Sequence, residues 1–240
     1  MTTRKSKHSN LIVGFDVPAE IGMEESDIST PALVIELDAF ERNVKKMAEF
    51  AATNGVRLRA HAKTHKSFDI ARYQIEHGGA CGICCQKVSE AEALVLAGID
   101  DVLVSNQVVN HRQIGRLARL AGLARMIVCV DAPGNIEDLS LAAKEHGVKL
   151  ECLVEMDCGG GRCGVGWGKP VVELALQINQ AESLIFSGLQ AYHGAAQHIR
   201  DFARRRAAVA AAVEQVDETL HMLAAGAFKN FLCSRGLIRN

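Results

Sequence analysis

The chain has 240 residues, of which 48% are hydrophobic and 23% charged, and a formal net charge of −1. That length suits one or two domains with a sizeable core, and the composition is ordinary for a globular protein. The near-zero charge leaves no electrostatic footprint for nucleic acid, and no run of about 18 apolar residues marks a membrane span.

Residues 1–29 are weakly periodic and read as an N-terminal arm; Met1 to Asn10 lack the apolar core and cleavage pattern of a signal peptide. Pro31 ends the arm, because proline drives its predecessor toward extended geometry. The apolar, β-branched stretch Ala32–Leu37 predicts a strand, and Phe40, Val44, Met47 and Ala51 recur at helical spacing, predicting a helix over 39–54 opened by an Asp38 capping box. From there the chain settles into a beat. Glycines 55, 79, 98, 122 and 147 stop helices, and each is followed by an apolar strand: Val56–Ala62, Ala80–Gln86, Asp101–Ser105, Ala124–Val130 and Lys149–Met156. A sixth strand, Leu184–Tyr192, precedes a long helix near 199–225. Ser89 with Glu92, Asn110, Asn135 and Lys169-Pro170 are the expected helix openings. Strand–helix units of this size mean parallel strands with crossover helices, and their regularity favours a barrel over a doubly wound sheet. Only six barrel-type strands occur, and 227–240 has neither strand nor helix periodicity, so the barrel is expected to be incomplete.

Chemistry concentrates at three strand ends. Arg59–Lys66 (RAHAKTHK) crowds two lysines and two histidines at the C-terminal end of a strand, where α/β enzymes place their reacting groups. A lysine there with cationic neighbours is a candidate nucleophile; the plain alternative is a solvated basic loop. Cys158–Gly166 (CGGGRCGVG) offers amide nests that suit anions and one permanent cation, Arg162, but lacks the spacing of a dinucleotide fingerprint. Gln190–His198 brings Tyr192, His193 and His198 to the same rim as Lys63. The eight cysteines sit largely in apolar runs, as buried, reduced thiols of a cytoplasmic protein do; Cys81 and Cys84 have metal-site spacing without a second pair. Arg204–Arg206 reads as a solvated helix face.

These stretches, together with Gly82–Ala91 (GICCQKVSEA), Asp157–Val165 (DCGGGRCGV) and Gly188–His198 (GLQAYHGAAQH), resemble the D-threonine aldolases, within the group that includes D-serine dehydratases and the alanine racemase N-terminal barrel. The resemblance implies a (β/α)8 alanine racemase-like barrel over 30–226, here with about six of eight strands, between an arm (1–29) and an unpatterned tail (227–240). It implies pyridoxal 5'-phosphate as cofactor, attached through Lys63, with Arg162 facing the ring nitrogen, Gln86 and Tyr192 lining the ring, and His198 near the substrate hydroxyl. The implied reaction cleaves D-threonine or a related D-3-hydroxy amino acid to glycine and an aldehyde, aided by a divalent, manganese-like metal. The family's metal ligands lie in a C-terminal β-domain that this sequence lacks, as it lacks the glycine-rich segment that grips the phosphate. Ala60 stands where the family usually has proline. Low or no activity of this chain is therefore expected. The alternatives are a D-serine or D-3-hydroxyaspartate dehydratase and an inactive cofactor-binding fragment. No nucleic-acid or membrane partner is expected, and the oligomeric state is open.

Overall fold

The computed structural model describes residues 12–226; the predicted 227–240 tail lies outside them. Two compact units divide between Asn43 and Val44.

In the first unit a bridge joins Val13 to Val17 and a short 3-10 helix spans Glu25–Asp27. The predicted strand Ala32–Leu37 does not form. Residues 32–36 have no regular structure, and Leu33 is 97% exposed. An extended segment becomes a strand only when a neighbour takes its N–H and C=O groups, and no such partner occurs among the described residues. The apolar content that suggested a strand instead runs into α1 (Leu37–Thr53). Its cap is not Asp38: the Glu36 carboxylate accepts from the Ala39 amide at 2.7 Å.

The second unit holds six parallel strands: β1 (Leu58–His61), β2 (Ala80–Cys85), β3 (Asp101–Gln107), β4 (Arg125–Val130), β5 (Leu150–Glu155) and β6 (Leu184–Gln190). They lie in sequence order, β1-β2-β3-β4-β5-β6, each paired in parallel with the next. A doubly wound sheet reverses its order at a switch point; this one does not, which is barrel winding. The crossovers are α2 (Phe68–Glu76), α3 (Val88–Leu96), α4 (His111–Leu120), α5 (Pro133–Glu145) and α6 (Lys169–Gln180), and α7 (Phe202–Ala225) follows β6. Asn110 caps α4, accepting from Arg112 and Gln113, and Ser67 caps α2, accepting from Ile70. Two expected openings are corrected. Asn135 lies inside α5, buried, and donates to the Val108 carbonyl at 2.8 Å. Ser89 lies inside α3, whose Glu90 reaches back to the Gln86 amide at 2.8 Å, while Glu92 pairs with Arg116 on α4. Gly122, unlike glycines 55, 79, 98 and 147, is not left-handed.

Alternation along each strand sorts two environments. Val102, Val104, Met126, Val128, Val130, Cys152 and Val154 point outward and are buried with Ile114, Leu117, Ile136, Leu139 and Ile178 of the helices. The alternate residues face the other way and are graded along the strands. At the N-terminal ends Arg59 pairs with Asp101 at 2.7 Å, Asp101 with Arg125 at 2.9 Å, and Arg125 with Glu151 at 2.6 Å, which also accepts from Ser187 at 2.6 Å. Gly82 is required beside this chain of charges: a Cβ there would lie 2.7 Å from the Asp101 carbonyl oxygen and on top of the Arg59 guanidinium. Next come Cys84, Leu103, Ile127 and Cys129 with Leu153, a small apolar cluster. At the C-terminal ends stand His61, Ser105, Gln107 and Glu155. Among the described residues no helix is long and apolar enough to cross a membrane.

Arg125 sits between two carboxylates that are each 18% exposed, so Arg125→Ala leaves Asp101 and Glu151 without the cation that separates them. Because the arginine itself is 43% exposed, the expected loss is about 1–3 kcal/mol, below that for a fully buried pair. Urea unfolding measures it; a loss under about 0.5 kcal/mol contradicts a structural role for the ionic chain.

Candidate active site

The first element of the site is the turn that leaves β1. Ala62 donates to the Cys84 carbonyl at 2.7 Å, and the Lys66 amide closes the turn on the Ala62 carbonyl at 2.8 Å, with Lys66 left-handed at φ 54°. The two lysines of this stretch then differ. Lys66 pairs with Glu90 at 3.1 Å. Lys63 is exposed, and no carboxylate pairs with its ammonium among the described residues. The candidate nucleophile thus stands at the strand end with its amine open to solvent.

His61 ties this turn to β3. The Lys63 amide donates to His61 Nδ1 at 3.2 Å, and Ser105 Oγ lies 3.3 Å from His61 Nε2 while donating to the Cys85 carbonyl at 3.2 Å. A hydroxyl has one proton, so Ser105 accepts from His61. That fixes the neutral ring with its proton on Nε2. Burial, then the Lys63 charge, lowers the His61 pKa from 6.5; Glu90 acts in the opposite direction.

The second element is the glycine loop after β5. The expected anion nest forms, but it is filled from within. Asp157 accepts from the amides of Gly159 at 3.0 Å, Gly160 at 2.8 Å and Gly161 at 3.0 Å. These amides, that of Gly161 foremost, hold its carboxyl below the usual carboxylate range. The loop folds back so closely, with Gly164 donating to Asp131 at 3.0 Å, that a Cβ on Gly164 would lie 2.7 Å from the Asp157 nitrogen. Arg162 is thereby brought over the Tyr192 ring, 5.4 Å from its centroid.

Beneath Arg162 lies Glu155, which the sequence reading missed. It is 3% exposed, accepts from Gln107 at 2.8 Å and from the Cys163 thiol at 3.0 Å, and pairs with Arg162 at 3.5 Å. Burial and then Glu155 push the Cys163 thiol up, so it remains a donor. β3 carries two extra residues against β4 between Val104 and Gln107, the kind of irregularity that re-aims side chains beside active sites. The signal available in the sequence was a glutamate following the apolar run Cys152–Val154 at the end of the strand.

Arg162, Tyr192 and His198 line one recess of about 330 Å³ together with Glu155, Asp157 and Gln197. His198 is exposed, at the end of a 3-10 helix over Gly194–His198. Lys63 and Gln86 do not line this recess; they stand at the C-terminal ends of β1 and β2, on the same edge of the sheet. His193 is half-buried, its Nδ1 without a partner. Cys81 and Cys84 fall on opposite sides of β2, one exposed and one buried. No group of three or more His, Cys, Asp or Glu side chains suited to a metal occurs among the described residues. On α7, Arg204 and Arg206 are exposed as expected, whereas Arg205 is half-buried and donates to the Ile199 carbonyl at 2.8 Å.

Comparison with known proteins places this geometry. The family described as alanine racemase, N-terminal domain, matches residues 35–235. A 3-hydroxy-D-aspartate aldolase of Paracoccus denitrificans (strain Pd 1222) is 50% identical over 222 residues, 92% of this chain and 57% of that protein. A D-threonine aldolase of Arthrobacter sp. is 42% identical over 83% of this chain and 54% of its own length. The crystal structure of D-threonine aldolase from Filomicrobium marinum superposes with a TM-score of 0.85 at 48% identity, covering 87% of this chain and 56% of that one. The chain thus spans about half the length of the curated relatives it matches.

Lys63→Gln removes the neighbouring positive charge that lowers the His61 pKa and leaves burial, the larger cause, in place. The His61 pKa, read by NMR, is expected to rise. A group whose folded pKa is lowered contributes stability that is complete above the unfolded value and is lost as the pH falls through the folded one, so stability should fall with acidification below about pH 6.5. A His61 resonance unmoved by the substitution would contradict the placement of the Lys63 charge.

Proposed function

The chain belongs to the alanine racemase N-terminal domain family, and on that basis we propose that it is the barrel part of a pyridoxal 5'-phosphate enzyme that cleaves D-3-hydroxy amino acids to glycine and an aldehyde. The observation that carries this reading is the unpaired Lys63 amine, on the same strand-end rim as a recess presenting Arg162, Tyr192 and His198.

The residues present fit the aldehyde and ring of the cofactor. Lys63 offers a primary amine that no carboxylate pairs with, for covalent attachment. Arg162 offers a guanidinium, 57% exposed, for the ring nitrogen, and being permanently charged it leaves that nitrogen unprotonated. Tyr192, 49% exposed, and Gln86 would line the ring. The amides of Gly159, Gly160 and Gly161 are taken by Asp157 and would not serve the phosphate. When bound, the cofactor supplies a conjugated ring that accepts the electron pair released as Cα–Cβ breaks. As that bond breaks, His198 takes the hydroxyl proton of the substrate, and the aldehyde leaves. The divalent metal expected from the family resemblance finds no three-residue ligand set among the described residues, and no step is assigned to it. The seven described cysteines are all unpaired, which supports placement in the reducing cytoplasm.

Product analysis tests the reaction class. With pyridoxal phosphate added, the low turnover expected of this chain should give glycine and acetaldehyde from D-threonine, and glycine and glyoxylate from D-3-hydroxyaspartate. Ammonia with an oxo acid would establish the dehydratase reading instead. His198→Ala is expected to slow cleavage about a hundredfold or more; an unchanged rate would remove His198 from the proton transfer.

A further inference from the structure

We infer that Glu90 is a positioning residue that reserves attachment of the cofactor for Lys63 by holding Lys66 away from it; the inference rests on the function proposed above. Two primary amines stand three residues apart on the turn that leaves β1, and both residues are exposed. Attachment joins a lysine nitrogen to the aldehyde carbon and releases the aldehyde oxygen as water, and only a neutral amine begins it. Exposure does not choose between the two lysines; pairing does.

Glu90 is placed to hold Lys66. Its side chain is 13% exposed, and each oxygen has its own partner. Oε2 accepts from the Gln86 amide, just past the end of β2, at 2.8 Å, which fixes the carboxylate against the sheet. Oε1 meets Lys66 Nζ at 3.1 Å. Burial opposes the charged carboxylate, but the Gln86 amide and Lys66 outweigh it, and the Glu90 pKa lies below its ordinary value. The backbone also bends at the paired lysine. Among the described residues Lys66 is the non-glycine residue with positive φ, at 54°, a region that a side chain makes costly. Its amide closes the turn on the Ala62 carbonyl at 2.8 Å, and its side chain runs to Glu90 on α3, while Lys63 keeps no carboxylate partner. An ammonium so held must give up both its proton and its pair before it can attack; Lys63 has no such pair to break. A glutamate that only joined the end of β2 to the start of α3 would do so equally well as glutamine, whose amide oxygen still accepts from Gln86. Glu90 thus acts through Lys66 and takes no part in the bond to the aldehyde.

The experiment uses the full 240-residue chain as wild type, Glu90→Gln and Glu90→Asp. Each is mixed with pyridoxal phosphate, reduced with borohydride and digested, and the ratio of adduct on Lys66 to adduct on Lys63 is read by fragment mass spectrometry. Separately, each chain is methylated sparingly with formaldehyde and cyanoborohydride, which reads the availability of the same two amines with no cofactor present. In wild type the pyridoxyl adduct is expected on Lys63, and methylation is expected to favour Lys63. Glu90→Gln should raise the Lys66-to-Lys63 ratio about tenfold in both reactions, the factor that one hydrogen bond to a charged group supplies. Glu90→Asp, which keeps the charge but withdraws it by one methylene, should fall between, and decides the matter alone if the glutamine variant does not fold. A general loosening of the chain would raise both lysines together and leave the ratio untouched. Wild-type ratios in the variants overturn the proposal. A wild type labelled equally on both lysines overturns it, because Glu90 then reserves nothing. A wild type that takes no pyridoxyl label overturns it by removing the cofactor, and the methylation ratio distinguishes that failure of the proposed function from a failure of Glu90.

Discussion

Everything in the barrel unit depends on how each strand divides its two faces. The outward face is wholly apolar and is sealed by helices, so it supplies the bulk of the core. That leaves the alternate residues free of the duty of burying apolar area. They carry instead a graded interior: the Arg59–Asp101–Arg125–Glu151 chain at one end, a thin apolar layer about Cys84, Leu103 and Ile127 in the middle, and hydrogen-bonding side chains at the other end. An interior of opposite charges is stable only while every member keeps its partners. The absent side chain at Gly82 shows how tightly the chain of charges is fitted.

The mouth of the barrel follows from the same alternation. Ser105 and Gln107 are two residues apart on β3 and hold different halves of the site. Ser105 reaches His61 and so the Lys63 turn; Gln107 reaches Glu155 and so Arg162. A single strand thus orders both the proposed nucleophile's turn and the proposed ring-nitrogen contact. The candidate catalytic groups stand on turns and loops, and the residues that hold them stand on strands, a division that combines access with rigidity.

Much of this was legible in the sequence. Six strands, the crossover helices and the strand-end placement of Lys63, Arg162, Tyr192 and His198 follow from periodicity and glycine stops, which are local signals. What could not be read was whatever depends on a partner distant in the chain. Ala32–Leu37 has the composition of a strand, but pairing is not a local property, and the segment stays unpaired. The glycine loop has the composition of an anion cradle, yet its own Asp157, two residues past the end of β5, fills the cradle. Lys63 and Lys66 look alike until Glu90, more than twenty residues on, is seen to hold only one of them. Glu155 passed unnoticed because one carboxylate at the end of an apolar run says nothing about Gln107 or Cys163 until the strands are side by side.

The central claim is that the Lys63 amine is the group that bonds to the cofactor aldehyde. Borohydride reduction of the chain mixed with pyridoxal phosphate, followed by proteolysis and peptide mass mapping, reads it directly. The account predicts a reduced phosphopyridoxyl adduct on the peptide carrying Lys63, with Lys66 unmodified and the label abolished by Lys63→Ala. A label of equal intensity on Lys66, or one that persists in the alanine variant, would contradict it.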